Sequence, residues 1–206
     1  MYELCPDCGK HIPDADIDTD GPYIVCDDCG SRQLFRMLPL FIITGASGTG
    51  KTTLTSKIAL MDEKPDLVYL DSDMLLIGEF TSSGWQEYKN IWLWVCFNIS
   101  QSGRPVALFG SASPPDFENA MRRRYFSATH YLALTCDSDT LEQRLIQRPK
   151  WRKSSNPEFV KSHLEWNQWF IDNASTANPP HSILDTTDKT LHETIMELFA
   201  WINACL

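Results

Sequence analysis

The stretch FIITGASGTGKTTL, residues 41–54, joins an apolar run to a glycine-rich turn and then to a helix-forming run. Its central part, Gly45 to Thr52, fits the pattern GxxxxGK[ST] at every position. Glycines let backbone N–H groups surround an anion without Cβ clashes, and the start of a helix adds partial positive charge. Because strand, glycine turn, lysine and helix follow in the order that this motif requires, the stretch predicts a phosphate-binding loop.

A loop of this kind predicts a nucleoside triphosphate site with Mg²⁺, and we expect ATP as the nucleotide. Lys51 is expected to reach the β- and γ-phosphates, and the hydroxyl of Thr52 to ligate the metal. The alternative, a glycine turn with only a structural role, does not account for the lysine and the helix that follow. The remaining nucleotide contacts are expected from Gly45, Ser47, Gly48, Thr49, Gly50 and Thr53.

Five apolar segments alternate with helical patterns along the rest of the chain. Such continuous apolar runs are typical of parallel strands that helices cover on both faces. The pattern therefore predicts an α/β fold with a five-stranded parallel sheet between helices. The predicted strands are 38–44, 67–71, 105–109, 130–135 and 182–186.

Two carboxylates, Asp71 and Asp73, stand at the carboxyl end of the second predicted strand. Ligands of open α/β sheets gather at the carboxyl ends of the strands, so one aspartate could serve the metal and the other a phosphate acceptor. The third strand ends in Gly110 and Ser111 and lacks the aspartate that motor and switch proteins place there, which favours a kinase. The alternative is that both aspartates only cap a turn.

A basic segment follows the fourth predicted strand, with five basic and no acidic residues from Arg144 to Lys153. Arg144 and Arg148 are four positions apart and would share one helix face, and Pro149 would then end the helix. We predict a lid near residues 148–156 that closes over the nucleotide. The alternative is an ordinary solvated face.

These patterns resemble the P-loop small-molecule and nucleotide kinases, the adenylate-kinase-like group that includes shikimate and gluconate kinases. The resemblance covers about residues 38–206 and rests on the loop, on the DSD sequence from Asp71 to Asp73, on LTCDSDTLEQRLIQRPKWR and on LDTTDKTLHETI. It implies a phosphotransferase in which Asp71 holds Mg²⁺ through water and Arg144 contacts the nucleotide. The implied catalytic residues are Lys51, Asp73, Arg148 and Arg152.

Four of the seven cysteines form two CxxC pairs with 17 residues between the pairs. Two such turns can direct four thiolates at one tetrahedral zinc ion; a disulfide pair or a redox dithiol is the alternative. Residues 1–36 resemble a zinc ribbon, with residues 37–206 as the kinase domain. The ribbon has eight acidic and three basic residues, which favours stabilisation of a small module or contact with another protein over RNA binding. The expected zinc ligands are Cys5, Cys8, Cys26 and Cys29.

A net charge of −9, the lack of a long apolar run and the polar N-terminus predict a cytoplasmic protein without broad affinity for nucleic acid. The acceptor that we favour is a nucleoside or a nucleotide. A polynucleotide end kinase and a non-enzymatic nucleotide-dependent interaction protein are the alternatives. An aromatic stripe of Trp85, Tyr88 and Trp92 could stack an acceptor or belong to the core, and Arg122 to Arg124 could bind an acceptor phosphate or end a solvated helix. No histidine is assigned a role.

Overall fold

A small antiparallel sheet forms the N-terminal part of the chain in the computed structural model, which describes residues 2–75 and 84–206. Two knuckle turns carry the cysteine pairs, and Gly9 and Gly30 close them with φ values of 74° and 72°, which favour glycine. In each turn the glycine N–H donates to the carbonyl of the first cysteine. The strands, in the order β1-β2-β3, are Asp16–Asp18 (β1), Tyr23–Val25 (β2) and Arg32–Leu34 (β3).

A five-stranded parallel sheet with the order β5-β6-β4-β7-β8 forms the rest of the fold. All five strands lie where the apolar runs predict them, and the α/β class with a parallel sheet is confirmed. The central strand, β4, is fully buried, so its carboxyl end delivers the phosphate loop to the middle of the sheet. The strands are Leu40–Thr44 (β4), Val68–Asp71 (β5), Val106–Phe109 (β6), Thr129–Thr135 (β7) and Ser182–Asp185 (β8).

Helices cover both faces of this sheet. Alternate β4 residues enter different cores, with Phe41 and Ile43 packed on the side of α1 and α6 and Ile42 on the side of α2. Local signals set the helix starts, as in the capping box of Thr190 and Glu193 at α6. The helices are Lys51–Ile58 (α1), Trp85–Ser100 (α2), Pro114–Glu118 (α3), Ser138–Ile146 (α4), Pro157–Asn173 (α5) and Leu191–Cys205 (α6). No helix in the described ranges is long and apolar enough to cross a membrane.

The N-terminal sheet packs against α2 and shares its hydrophobic core. Phe35 makes edge contacts with Phe97 of α2 and with Tyr125, at centroid distances of 5.7 and 6.0 Å. The same cluster of buried residues extends from Cys26 near β2 to Trp92 in α2. The two sheets are therefore separate in hydrogen bonding but continuous in packing.

The three consecutive arginines before β7 take part in this packing, so neither a phosphate site nor a solvated helix end describes them. Arg122 forms an ion pair of 2.8 Å with Glu3, and both side chains are largely buried. Arg124 donates to the carbonyl of Pro13 at 2.9 Å, and Arg123 pairs with Glu118 at 2.9 Å. Two of the three guanidinium groups thus fasten the N-terminal segment to the parallel sheet.

The aromatic stripe of α2 divides between core and surface. Trp92 and Tyr88 are buried, with exposed fractions of 1% and 5%, and the Tyr88 hydroxyl donates to the carbonyl of Ser72. Trp85, in contrast, is 62% exposed at the first position of the helix. Packing therefore accounts for two of the three rings.

Candidate active site

The phosphate loop occupies the turn between β4 and α1 with three glycines at positive φ: Gly45 (132°), Gly48 (95°) and Gly50 (105°). A Cβ at Gly45 would collide with the carbonyl oxygen of Leu134 on β7, so the loop lies too close to the neighbouring strand for any other residue. Gly50 is the N-cap of α1 and has no side chain to accept from the first helical amides. The residues present therefore fit an anionic ligand at this helix start.

A cavity of about 400 Å³ opens above the loop, a size within the range of small-ligand sites. Most of the predicted nucleotide residues line it, and residues from the segments that follow β5, β6 and β8, from α4 and the turn after it, and from α6 complete it. Three predicted site residues are not among its lining: Gly45, which lies against β7, Asp71 and Arg152. The lining residues are Ser47, Gly48, Thr49, Gly50, Lys51, Thr52, Thr53, Leu54, Asp73, Ser111, Arg144, Arg148, Thr186, Lys189, Leu191 and Thr194.

The ammonium group of Lys51 lies under the loop and donates to the carbonyls of Gly45 at 2.6 Å and Ala46 at 2.8 Å. Burial lowers the pKa of Lys51 to about 8, although the charges of Asp73 and Asp71 oppose this shift. The negative charges of Asp73 and Asp71 thus balance the buried positive charge of Lys51 only in part. A phosphate group would supply the missing negative charge.

Asp71 and Asp73 differ in surroundings. One Asp71 carboxylate oxygen accepts the Asp73 N–H at 3.0 Å, so the turn-capping role applies to this residue. The Asp73 side chain lines the cavity instead. Burial, followed by the nearby charge of Asp71, raises the pKa of Asp73, while Lys51, Arg152 and Arg148 act in the opposite direction. The structure therefore places one carboxylate, with a raised pKa, in the cavity itself.

The basic segment departs from the predicted continuous helix. α4 ends at Ile146, two residues before Arg148, because the chain turns toward Pro149, where a proline ring would block a further helical turn. Arg144 and Arg148 still line the same cavity. Arg144 is held by Thr186, with one guanidinium nitrogen on the hydroxyl at 3.0 Å and one on the carbonyl at 2.8 Å.

Arg152 lies in a short 3₁₀ turn, Lys150–Arg152, outside the cavity lining. Its guanidinium is 5.0 Å from the ring centroid of the exposed Trp151. Its charge is nevertheless close enough to Asp73 and Arg148 to shift the pKa of both.

One histidine that the sequence analysis passed over contacts the loop. The N–H of Ser47 donates to Nδ1 of His163 on α5 at 3.2 Å. Burial, with the charges of Lys51 and Arg148, lowers the pKa of His163 to about 4, so the imidazole is neutral and can accept this hydrogen bond. No sequence pattern links the two positions, because they are 116 residues apart. Thr186, Lys189 and Thr194 were also missed as individual residues, although LDTTDKTLHETI pointed to their segment.

The four N-terminal cysteines converge on one point. Their sulfur atoms all lie within 4.8 Å of one another, with Cys5–Cys29 at 3.6 Å and Cys8–Cys26 at 3.7 Å. Four sulfurs at Zn–S distances of about 2.3 Å in tetrahedral geometry would be about 3.8 Å apart. The donor set and its spacing therefore fit zinc.

No protein family and no curated protein matches the sequence, whereas solved structures match the fold. A sugar kinase of Janibacter sp. HTCC2649 superposes with a TM-score of 0.57 at 15% identity, covering 81% of this chain and 95% of its own. A gluconokinase of Sinorhizobium meliloti 1021 gives 0.55 at 18% identity, with coverage of 82% and 94%. The fold is that of the P-loop kinases. Within the P-loop kinase fold, the cavity described above lies at the carboxyl edge of the sheet, where parallel α/β sheets place their ligands.

Proposed function

We propose that this chain is an ATP- and Mg²⁺-dependent kinase that transfers a phosphoryl group to a hydroxyl of a small molecule. The observation that carries the proposal is the composition of one cavity. The phosphate loop with Lys51, the carboxylate of Asp73 and the guanidinium of Arg148 all line it. Phosphoryl transfer requires positioned cations and a residue that orients the acceptor, and these are the groups that the cavity combines.

The loop and Lys51 bind the nucleotide in this proposal. Backbone N–H groups at the start of α1 hold phosphate oxygens, and Lys51 exchanges the carbonyls of Gly45 and Ala46 for the β- and γ-phosphates. Thr52 and Asp71 would hold Mg²⁺, which neutralises phosphate charge when bound. Arg144, fixed by Thr186, contacts the nucleotide from the other side of the cavity.

Asp73 orients the acceptor hydroxyl and takes its proton. The raised pKa of Asp73 lies closer to the pH at which the reaction would run. The ionised carboxylate is therefore a stronger general base than an ordinary aspartate. Arg148 and Arg152 meet the charge on the oxygens of the transferred group, Arg152 after closure of the lid near residues 148–156. The catalytic set is therefore Lys51, Asp73, Arg148 and Arg152.

Nucleosides and nucleotides are the first acceptors to consider. Trp85 exposes 62% of its surface at the start of α2, the helix that follows the segment after β5, and an exposed indole ring can stack on a base. The net charge of −9 argues against a polynucleotide substrate, because phosphate contacts require clustered basic residues.

The cysteine cluster is assigned to a structural zinc ion, with no step in the transfer reaction. The outward part of the ribbon could dock another protein. Four cysteines without disulfides suit a reducing compartment, which supports a cytoplasmic location.

The test is a screen of ATP with Mg²⁺ against nucleosides, nucleotides, sugars and hydroxy acids, with phosphorylated product detected by phosphorus NMR. The wild type should phosphorylate at least one class, and Lys51→Met should phosphorylate none because it lacks the cation facing the phosphates. Hydrolysis of ATP by the wild type with no transfer to any acceptor would contradict the proposal.

A further inference from the structure

The short 3₁₀ turn after β5, Ser72–Leu75, carries Asp73 into the cavity. The Asp73 side chain is exposed there, so its direction depends on the backbone that carries it more than on packing around the carboxylate. Ser72, one residue earlier, is buried. The contacts of Ser72 therefore decide where the chain delivers the carboxylate of Asp73.

The peptide group between Ser72 and Asp73 is held by hydrogen bonds at both of its polar atoms. Its N–H donates to the carboxylate of Asp71 at 3.0 Å, and its carbonyl accepts the hydroxyl hydrogen of Tyr88 on α2. A planar peptide group bonded at both its N–H and its C=O cannot rotate without losing one of the two bonds. The direction in which the chain enters Asp73 is therefore fixed from β5 and from α2 together.

The hydroxyl of Tyr88 is suited to this contact. Burial, together with the nearby charges of Asp73 and Asp71, raises the pKa of Tyr88, so the hydroxyl keeps its proton and remains a donor. A buried tyrosine hydroxyl usually finds a hydrogen-bond partner, and here the partner is the carbonyl directly before Asp73. The ring of Tyr88 thus serves the core of α2, and its hydroxyl serves the turn.

Ser72 also lies against Gly110, at the end of β6. A Cβ at Gly110 would lie 2.1 Å from Oγ of Ser72 and 3.0 Å from its Cβ, distances that a real side chain cannot adopt. The φ of Gly110 is outside the left-handed region, so space and not backbone conformation requires glycine here. Its N–H donates to the carbonyl of Ile43 on β4 at 3.0 Å, which holds this glycine in the sheet. The missing side chain therefore lets the turn approach the end of β6.

We propose that Tyr88 and Gly110 are positioning residues for phosphoryl transfer, which fix the peptide group between Ser72 and Asp73 and thereby the carboxylate that receives the acceptor proton. This inference rests on the proposed kinase function, in which Asp73 is the general base. Neither residue touches the reacting atoms, and both act through Asp73. A displacement of about 1 Å at a reacting group can lower a rate by about 10²-fold, so loss of either contact should appear in kcat.

The first test removes only the hydroxyl. Tyr88→Phe keeps the buried ring, and we expect kcat to fall by about tenfold or more while KM for ATP stays within about twofold of wild type, because the phosphate loop is unchanged. Tyr131→Phe is the matched control. Tyr131 is also buried, and its hydroxyl donates to Glu118 at 2.8 Å. This control removes a hydroxyl of the same kind and should leave kcat unchanged.

A double-mutant cycle with Asp73→Asn separates positioning from a general loss of stability. If Tyr88 acts through Asp73, its hydroxyl has no general base left to position in the Asp73→Asn protein. Tyr88→Phe should therefore lower kcat by less than about twofold in that background. Multiplicative effects, or wild-type kcat in folded Tyr88→Phe or in Asp73→Asn, would overturn the inference and leave the kinase proposal intact. Absence of transfer by the wild type to every acceptor would overturn both.

A second cycle, at Gly110, decides if Tyr88→Phe does not fold. Gly110→Ala places a methyl group against Ser72 and should lower kcat with KM for ATP near wild type. Apart from the chain neighbours of Gly110, Ser72 is the only described residue within 4 Å of the added carbon. In Ser72→Gly protein the same substitution should therefore have little effect on kcat. Equal losses of kcat in both backgrounds, or no loss in either, would overturn the inference.

Discussion

At the scale of single residues, Asp71 and Asp73 stand two positions apart but have different surroundings. Asp71 caps the turn that carries Asp73, while Asp73 lines the cavity and has a raised pKa. In the proposed mechanism, Asp71 serves Mg²⁺ and Asp73 serves the acceptor. Two carboxylates this close are best accommodated with a cation beside one of them.

Asn substitutions separate these two roles. Asp73→Asn should lower kcat by roughly 10²- to 10⁴-fold with nucleotide affinity near wild type, because the general base is lost. Asp71→Asn should instead raise the Mg²⁺ concentration that gives half-maximal rate; its amide oxygen can still cap the turn. The measurement is a Mg²⁺ titration of both variants. Rescue of Asp73→Asn by metal, without rescue of Asp71→Asn, would reverse the assignment.

Lys51 lowers the free energy of unfolding of the protein without nucleotide. Its pKa of about 8 lies below the ordinary value of 10.5, a difference that corresponds to about 3 kcal/mol. Both bonded carbonyls keep another donor when the lysine is replaced, since Ser111 also donates to Gly45 and Thr49 to Ala46. Lys51→Met should therefore abolish transfer yet raise the free energy of unfolding at pH 7 by about 1–3 kcal/mol.

The destabilisation by Lys51 should depend on pH. Below pH 8 the lysine is protonated in both folded and unfolded chains, so the full cost applies; between pH 8 and 10.5 only the unfolded chain keeps the proton, and the cost falls. The advantage of Lys51→Met in chemical unfolding should thus shrink as pH rises through this range. Equal stability of the two proteins at pH 7 would show that burial of the charged lysine does not destabilise the fold.

Single residues also show what the sequence could and could not predict. The motif identified the loop residues because each glycine answers a local backbone requirement, as at Gly45 beside Leu134. The contact between His163 and Ser47 could not be predicted, since it depends on how α5 lies across the loop. The sequence therefore predicts residues whose role is set by their neighbours in the chain, but not contacts between residues that are far apart in it.

At the scale of helices and strands, all five predicted parallel strands are present, and the inner strands β4 and β6 are buried along their whole length, as their continuously apolar sequences indicate. The end of α4 was placed too late. Proline at 149 restricts the residue before it, so Arg148 already lies outside the helix. The arginines of the proposed lid, Arg148 and Arg152, consequently lie in turns outside the helix, and a turn can move with less disruption than a helix.

For α2, the sequence predicts an aromatic face but not the surfaces that cover it. Its aromatic spacing signals a buried face, but the sequence does not say against what that face packs. The helix packs on β4 and β6 of the parallel sheet, and also on the N-terminal segment, through Tyr2 and Phe35 on Phe97. Contacts across 60 or more residues leave no periodic signal in either segment.

At the scale of the whole molecule, the cysteine cluster and the parallel sheet share one hydrophobic core. Cys5 and Cys26 belong to the same cluster of buried residues as Trp92 in α2. Zinc would therefore hold more than the small sheet. Loss of the metal should loosen the face of α2 as well.

We expect about one zinc per chain, and Cys26→Ser should reduce both the metal content and the melting temperature, the latter by roughly 10 °C or more. KM for the acceptor should rise more than KM for ATP, because α2 and not the loop rests on the ribbon. Metal analysis and thermal unfolding measure these changes. Cys205→Ser is the matched control, since this cysteine lies in α6 outside the cluster. Metal-free protein of unchanged melting temperature would contradict this view.

The shared core also orders events during biosynthesis. Residues 2–36 leave the ribosome before the segments that pack on them, and all four thiols would then be available to capture zinc, but Phe97, Tyr125 and Arg122 emerge later. Until then Phe35 and Glu3 have neither their aromatic partners nor their ion pair. The nascent N-terminal segment, with or without zinc, therefore exposes an apolar face until the segments that cover it have been synthesised.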